Sequence, residues 1–257
     1  MSKTMKNLSP LLFLTLVAGL PASLTASHYQ SLLATSAGRD SLANLALWED
    51  GRVPGKGKLF EYLGSDNPLI RLRAVEVIGR IQDPQDVPHL LPLLRDPDPR
   101  VVRETVFALG QIDSEEAIPA LVKAGDTTTP DMHPLYADAF GKIGGEEAVI
   151  ELMEMLHSFQ GSVRAGAAIS MANIDDPSAT NALLVSIHDN DAKVAWRTIY
   201  SLEKANTKRV REAVAPFLTS EDPRVRSYAA RTLGKQKARG AVEPLAMNAH
   251  DPDLRVS

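Results

Sequence analysis

The sequence predicts an all-α fold: an α-α superhelix, or right-handed α-solenoid, built from about six helical hairpins of 31 residues plus a degenerate N-terminal unit. Three observations carry that expectation. Stepping 31 residues at a time gives Gly79, Gly110, Gly141, Ala172, Glu203 and Gly234, each preceded by an apolar residue: Ile78, Leu109, Phe140, Met171, Leu202 and Leu233. The columns eleven residues either side stay in register, with Leu90, Leu121, Leu152, Leu183, Val214 and Leu245 after, and Pro68, Pro99, Pro130, Gly161, Ala192 and Pro223 before. Composition agrees, since 44% apolar residues with only 5% aromatics suits many small hairpins better than one large core.

The stretch Asp96–Gly125 shows one hairpin most clearly. Pro99 fits a first helical turn, where its missing N–H costs nothing, and Asp96 or Asp98 is placed to cap. Val101, Thr105, Ala108, Leu109 and Ile112 then share one side of a helix, and Gly110 is expected to mark its end. After the turn Gln111–Ser114, a second stripe runs through Ala117, Ile118, Leu121 and Ala124, with Glu115 and Glu116 in the first turn where the helix dipole favours negative charge. About eight apolar side chains per unit are too few to offset the ordering of a hairpin, so stability must come from stacking neighbours.

At these residues the chain resembles HEAT repeats: Asp-Pro-x-Val-Arg at Asp222–Arg226 with Ala230 and Leu233-Gly234, and Ala-Leu-Gly-x-Ile at Ala108–Ile112. The short period and the Leu-Gly element are similar to the phycobilisome-lyase HEAT-like (short HEAT-like) repeats. The resemblance covers 65–250, which is taken as the solenoid. It implies the fold, and a functional range spanning bilin lyases and scaffolds.

Ahead of the solenoid, Lys3 and Lys6 precede the run Leu11–Leu20, bounded by Pro10 and Pro21 and followed by Ala22, Ser23, Ala26 and Ser27. This reads as a signal peptide over 1–26, since the run falls short of the ~20 apolar residues of a spanning helix. The expected location is exported, periplasmic or secreted, with no integral membrane span in the mature chain. Cysteine is absent, which excludes disulfides, thiolate metal sites and covalent haem attachment. Residues 27–64 read as a worn capping unit, with Ala43, Leu47, Leu59 and Leu63 under the later columns and a turn widened by Gly51, Pro54, Gly55 and Gly57. Gly55-Lys56-Gly57-Lys58 lacks P-loop spacing and is a basic turn.

Two later units depart from the pattern. In the third, Pro134 falls where a helix started at Pro130 would already be running, so the helix is expected to start late. His133 takes the column held by Arg71, Arg164 and Arg226, and the loop Thr127–His133 is either a protruding contact site or a tolerated irregularity. In the fifth, the turn Ala205–Arg211 is the basic run Lys204, Lys208, Arg209, Arg211. A helix is expected at 240–249, and Asp251–Ser257 opens a further repeat, either truncated or frayed.

No catalytic, cofactor-binding or metal-ligating set emerges. The six histidines have no partner three or four residues away, and acid pairs such as Asp175-Asp176 sit at turns. The HEAT-repeat enzyme deoxyhypusine hydroxylase holds a di-iron centre through His-Glu pairs, and no His-Glu dipeptide occurs here. Attention turns to the positions six and three before each landing residue, expected to face solvent: Arg73 and Glu76, Glu104 and Phe107, Leu135 and Asp138, Gly166 and Ile169, Arg197 and Tyr200, Tyr228 and Arg231. Trp196, Arg197, Tyr200, Tyr228 and Arg231, with Phe107 earlier, form the expected partner-binding set, aromatic and arginine being the types enriched in interface anchors. Packing of Trp196 and Tyr228 between repeats is the alternative. From Ser27 to Ala192 there are 13 Lys plus Arg against 25 Asp plus Glu, and from Lys193 onward 13 against 7, so the C-terminal third is basic and suits an anionic surface. The function expected is an exported HEAT-repeat scaffold that binds a protein partner and needs no cofactor. The alternatives are a bilin lyase-like enzyme or chaperone, and a nucleic-acid-binding solenoid, which net negative charge disfavours.

Overall fold

The computed structural model describes residues 35–49, 57–237, 251 and 253. The expected leader over 1–26, the turn around Gly55, the helix at 240–249 and most of 251–257 lie outside the described residues. The described elements are helices and turns, in the order α1 Ser36–Glu49, α2 Gly57–Leu63, α3 Pro68–Ile81, α4 Val87–Leu90, α5 Pro99–Ile112, α6 Ile118–Gly125, α7 His133–Ile143, α8 Gly145–Leu156, α9 Gly161–Ser170, α10 Pro177–Ser186, α11 Ala192–Ser201, α12 Lys208–Val214 and α13 Pro223–Lys235. Short 3₁₀ turns extend several of the second helices, such as Leu91–Arg95 after α4 and Ala215–Thr219 after α12.

The chain packs as two compact units, one ending at Ala108 and the other beginning at Leu109. In the first, α3 packs against α1 and α2, and α2 lies along α4. In the second, the first helices α7, α9, α11 and α13 stack in series, while α8 lies beside α6 and α10. This is the stacked-hairpin order of an α-solenoid. The expected stripes form the core: Val101, Thr105, Ala108, Leu109 and Ile112 are buried on α5, and Ala117, Ile118, Leu121 and Ala124 on the segment that follows. In the N-terminal hairpin, Leu59 and Leu63 are buried as expected, together with Leu42 and Leu45.

Helix starts follow the chemistry expected of them. Asn67, Asp191 and Asp222 accept backbone N–H bonds from Leu69, Lys193 and Arg224 at 2.8–2.9 Å. On α5 the Asp98 carboxylate accepts from Arg100 N at 2.9 Å, and Asp96 in turn accepts from Asp98 N at 2.8 Å. The third unit does start late: α7 begins at His133, so Pro134 sits in the first turn and removes no helical hydrogen bond.

The glycine column behaves differently from expectation. Gly79, Gly110 and Gly141 lie inside the last turns of α3, α5 and α7, and the left-handed positions come three residues later, at Gln82, Asp113 and Gly144, with φ of 55°, 57° and 65°. What the column supplies is close approach between successive first helices. A Cβ added at Gly79 would lie 2.8 Å from Ala108 Cβ, at Gly110 2.9 Å from Ala139 Cα, and at Gly141 2.6 Å from the Ser170 carbonyl oxygen.

A second periodic device was not anticipated. Arg71, Arg164 and Arg226 each reach a carboxylate 25 residues ahead, Asp96, Asp189 and Asp251, with Nε and Nη2 on its two oxygens at 2.7–3.0 Å. Nη1 of each arginine donates back to the turn before its own helix, to the carbonyls of Ser65, Ser158 and Ser220 at 2.7–2.8 Å. The planar five-donor guanidinium suits this double duty, tying consecutive turns together.

The expectation that the paired columns face solvent fails in two places. Arg73 and Glu76 are 2% and 6% exposed and form a 2.8 Å ion pair on α3. Gly166 is buried, and a Cβ there would meet Pro134 Cα at 3.2 Å, so this column borders the preceding first helix.

Candidate functional site

In the second unit, α11 places Trp196, Arg197 and Tyr200 within little more than one turn, and α13 places Tyr228 and Arg231 one turn apart. Stacking of these two helices brings the five side chains together. The Trp196 and Tyr228 rings are parallel-displaced at 4.8 Å and 20°, and Tyr200 meets Tyr228 edge-on at 5.9 Å and 88°. The Arg197 guanidinium lies 5.1 Å from the Trp196 ring centre, and that of Arg231 lies 5.6 Å from Tyr200 and 6.0 Å from Tyr228. Such cation–π contacts contribute about 0.5–2 kcal/mol each, depending on desolvation.

The ridge is partly structural. Trp196, Tyr200 and Tyr228 are half-buried, and the Trp196 indole N–H is buried without an acceptor among the described residues. The stack between the two helices shows the packing of Trp196 and Tyr228 between repeats that the sequence raised as the alternative. Arg231 donates to Glu203 at 2.9 Å, and Lys235 pairs with the same carboxylate. Arg197 is half-buried and forms no ion pair among the described residues. Phe107, the remaining member of the expected set, belongs to the first unit, on α5, where it is 41% exposed.

Sequence reasoning missed two features of the second unit. One is a row of exposed apolar side chains, with Ile150 at 50% and Met153 at 37% on α8, Val185 at 70% on α10, and Phe159 fully exposed in the turn before α9. The signal for Phe159 was present: at 31-residue steps its column otherwise holds Asp66, Pro97, Thr128, Asn190 and Glu221. The other is a cleft of about 380 Å³ beside the irregular loop of the third unit, lined by Asp126, His133, Tyr136, Glu151 and Glu154 among others. Among the described residues, no group of three or more His, Asp or Glu converges as a metal site. Among them, too, no helix is long and apolar enough to cross a membrane.

These stacked hairpins, with columns at a fixed 31-residue period, define a helical repeat protein. The family model for HEAT repeats matches residues 57–133 and 180–257, and the chain belongs to that family. No curated protein matches it. Among solved structures, YibA of E. coli is similar at 18% identity with a TM-score of 0.57, over 99% of this chain and 93% of that one, which is a likeness of fold. The complex of CpcE and CpcF of phycocyanin lyase from Nostoc is similar at 20% identity and a TM-score of 0.43, over 93% of each chain. Human deoxyhypusine hydroxylase is similar at 19% identity and a TM-score of 0.38, over 96% of this chain and 93% of that one.

Proposed function

We propose that this HEAT-repeat chain is an exported scaffold that binds a protein partner through the aromatic and arginine ridge of α11 and α13. The observation that carries the proposal is Arg197: a half-buried guanidinium held 5.1 Å over an indole ring, with no carboxylate of its own among the described residues. Three aromatic rings beside it supply rigid apolar area at low entropic cost, and the basic C-terminal third favours a partner with acidic side chains. Stacking helps the function, because a side chain already fixed loses little freedom on binding.

The test begins with a photo-crosslinker at position 200 in cells, followed by titration of the captured protein against purified variants. Arg197→Glu should weaken binding by at least tenfold while lowering the melting temperature by only a few degrees, the share of the lost contact with the Trp196 ring, since it leaves the Trp196–Tyr228 stack and every described ion pair in place. Equal binding by wild type and Arg197→Glu would overturn the assignment of this ridge. Export rests on the leader expected over 1–26, and Edman sequencing of the purified protein checks it. A mature N-terminus between Gly19 and Ser27 supports export, and a retained Met1 overturns it.

A further inference from the structure

The cleft in the second unit lies where the arginine clamp is missing. The positions that hold Arg164 and Asp189, or Arg226 and Asp251, carry His133 and Ser158 in the third unit, and both residues line the opening. No guanidinium ties these consecutive turns, and the loop before α7 and the C-terminal half of α8 border the cleft. Buried Tyr136 and Phe140 form the floor with Val163, Met155 lines a wall, and Thr128 of the loop lines the opening. Asp126, Glu151 and Glu154 line the same space, and none of the three forms an ion pair with a Lys or Arg among the described residues. Burial, and then the neighbouring charges of Asp126, Glu154 and Glu147, hold the Glu151 carboxyl above its usual range, so its own surroundings offer it no compensating cation.

The rim adds a second feature. Phe159 is fully exposed, yet its backbone is fixed, because its carbonyl accepts from Arg164 Nη1 at 3.1 Å while the same arginine grips Asp189. A solvated phenyl ring on a fixed backbone, one residue on from Ser158 of an uncompensated acidic cleft, matches a ligand that is cationic at one point and apolar at the next. We propose that this cleft accepts a Lys or Arg side chain from a basic, amphipathic segment of a protein partner, whose neighbouring apolar residue packs on Phe159. The charged head is placed among Asp126, Glu151 and Glu154, and its aliphatic stem along Met155 and the aromatic floor. The site is opposite in charge to the ridge of α11 and α13 and does not depend on it.

The probe is a fluorescent peptide of alternating lysine and leucine, titrated against the full-length protein, with the same peptide acetylated on every lysine as a control. Binding of the free-amine peptide should shift amide resonances of 126–133 and 151–163, and should weaken at least tenfold in Glu151→Gln/Glu154→Gln and on acetylation. Phe159→Ala should weaken it severalfold. Both variants replace side chains that bond to no described neighbour, so circular dichroism should match wild type, and Arg197→Glu should bind the peptide no more weakly than wild type. Unchanged affinity in the double glutamine variant, or equal binding of the acetylated peptide, overturns the proposal. If the protein instead self-associates and the double variant abolishes that, the occupant is a second copy of this chain and a separate protein partner for the cleft is overturned.

Discussion

Substituting Gly141 by alanine separates the two roles a glycine can play near a helix end. If the column only ended helices, alanine would be the better residue inside α7 and would stabilise by about 1 kcal/mol. The structure predicts the opposite sign. The new Cβ would stand 2.6 Å from the Ser170 carbonyl oxygen and 2.7 Å from Ser170 Cβ, and the oxygen is backbone that cannot rotate aside. Relief requires α7 and α9 to move apart, and overpacking of this kind costs about 1–3 kcal/mol, so after the propensity gain the net effect is a destabilisation of up to roughly 2 kcal/mol. Gly234 on α13 is the comparison, since an added Cβ there meets nothing within 4 Å among the described residues, and the helix-propensity gain should appear in its alanine variant. Urea unfolding followed by circular dichroism reads both variants. Gly141→Ala equal to or more stable than wild type would refute the close-approach argument.

Two further outcomes follow from the charged contacts. Arg164→Lys keeps the charge but loses the two-point grip on Asp189 and one or both carbonyl bonds, so the second unit should lose about 1–3 kcal/mol, and a double-mutant cycle with Asp189→Asn should show coupling above about 1 kcal/mol; additive effects would mean the clamp contributes little. The hydrogen bond from Arg164 holds the Asp189 carboxyl below its usual range, so this contribution is present above that range and is lost as pH falls through the lowered value. Glu76 works in the other direction: burial pushes its carboxyl up to about 7 from an ordinary 4.5, with Arg73 opposing. Between those values the folded state holds a proton the unfolded chain has released, so stability falls as pH rises across that window, by up to roughly 3 kcal/mol, and Glu76→Gln should flatten the slope. A slope unchanged in that variant would sink the assignment.

The fold was legible because a solenoid repeats its constraints. A single unit with Pro99, a stripe and Gly110 is ambiguous, but units holding the same columns remove the ambiguity. The role of the glycines was not legible, since a glycine that ends a helix and one that lets two helices touch occupy nearly the same place relative to an apolar stripe. The arginine clamp was half visible: Arg71, Arg164 and Arg226 stood out as a column, but a partner 25 residues away shares no helical face with them. Burial of Arg73 and Glu76 was hidden because charged residues three apart on a helix look the same on a solvated face and in a covered one. Of the candidate surface, the five ridge residues stood out by composition and spacing, and packing of Trp196 and Tyr228 between repeats was one of two readings; the contacts of Arg197 and Arg231 with particular rings were not legible.

The places where function is proposed are those where the repeat is broken, and the energetics of a solenoid give a reason. Each hairpin touches only its neighbours, so a departure at one unit costs stability locally and leaves the other interfaces intact. At α11 and α13 stacked rings lie between successive first helices, with the Arg197 guanidinium over one of them. At α7 the clamp residues are replaced by His133 and Ser158, and the gap is left open above an aromatic floor. The two departures differ in charge as well as in shape, one presenting Arg197 and the other Glu151. A partner that engaged both would need acidic and basic segments in a fixed order, a stricter requirement than either surface imposes alone.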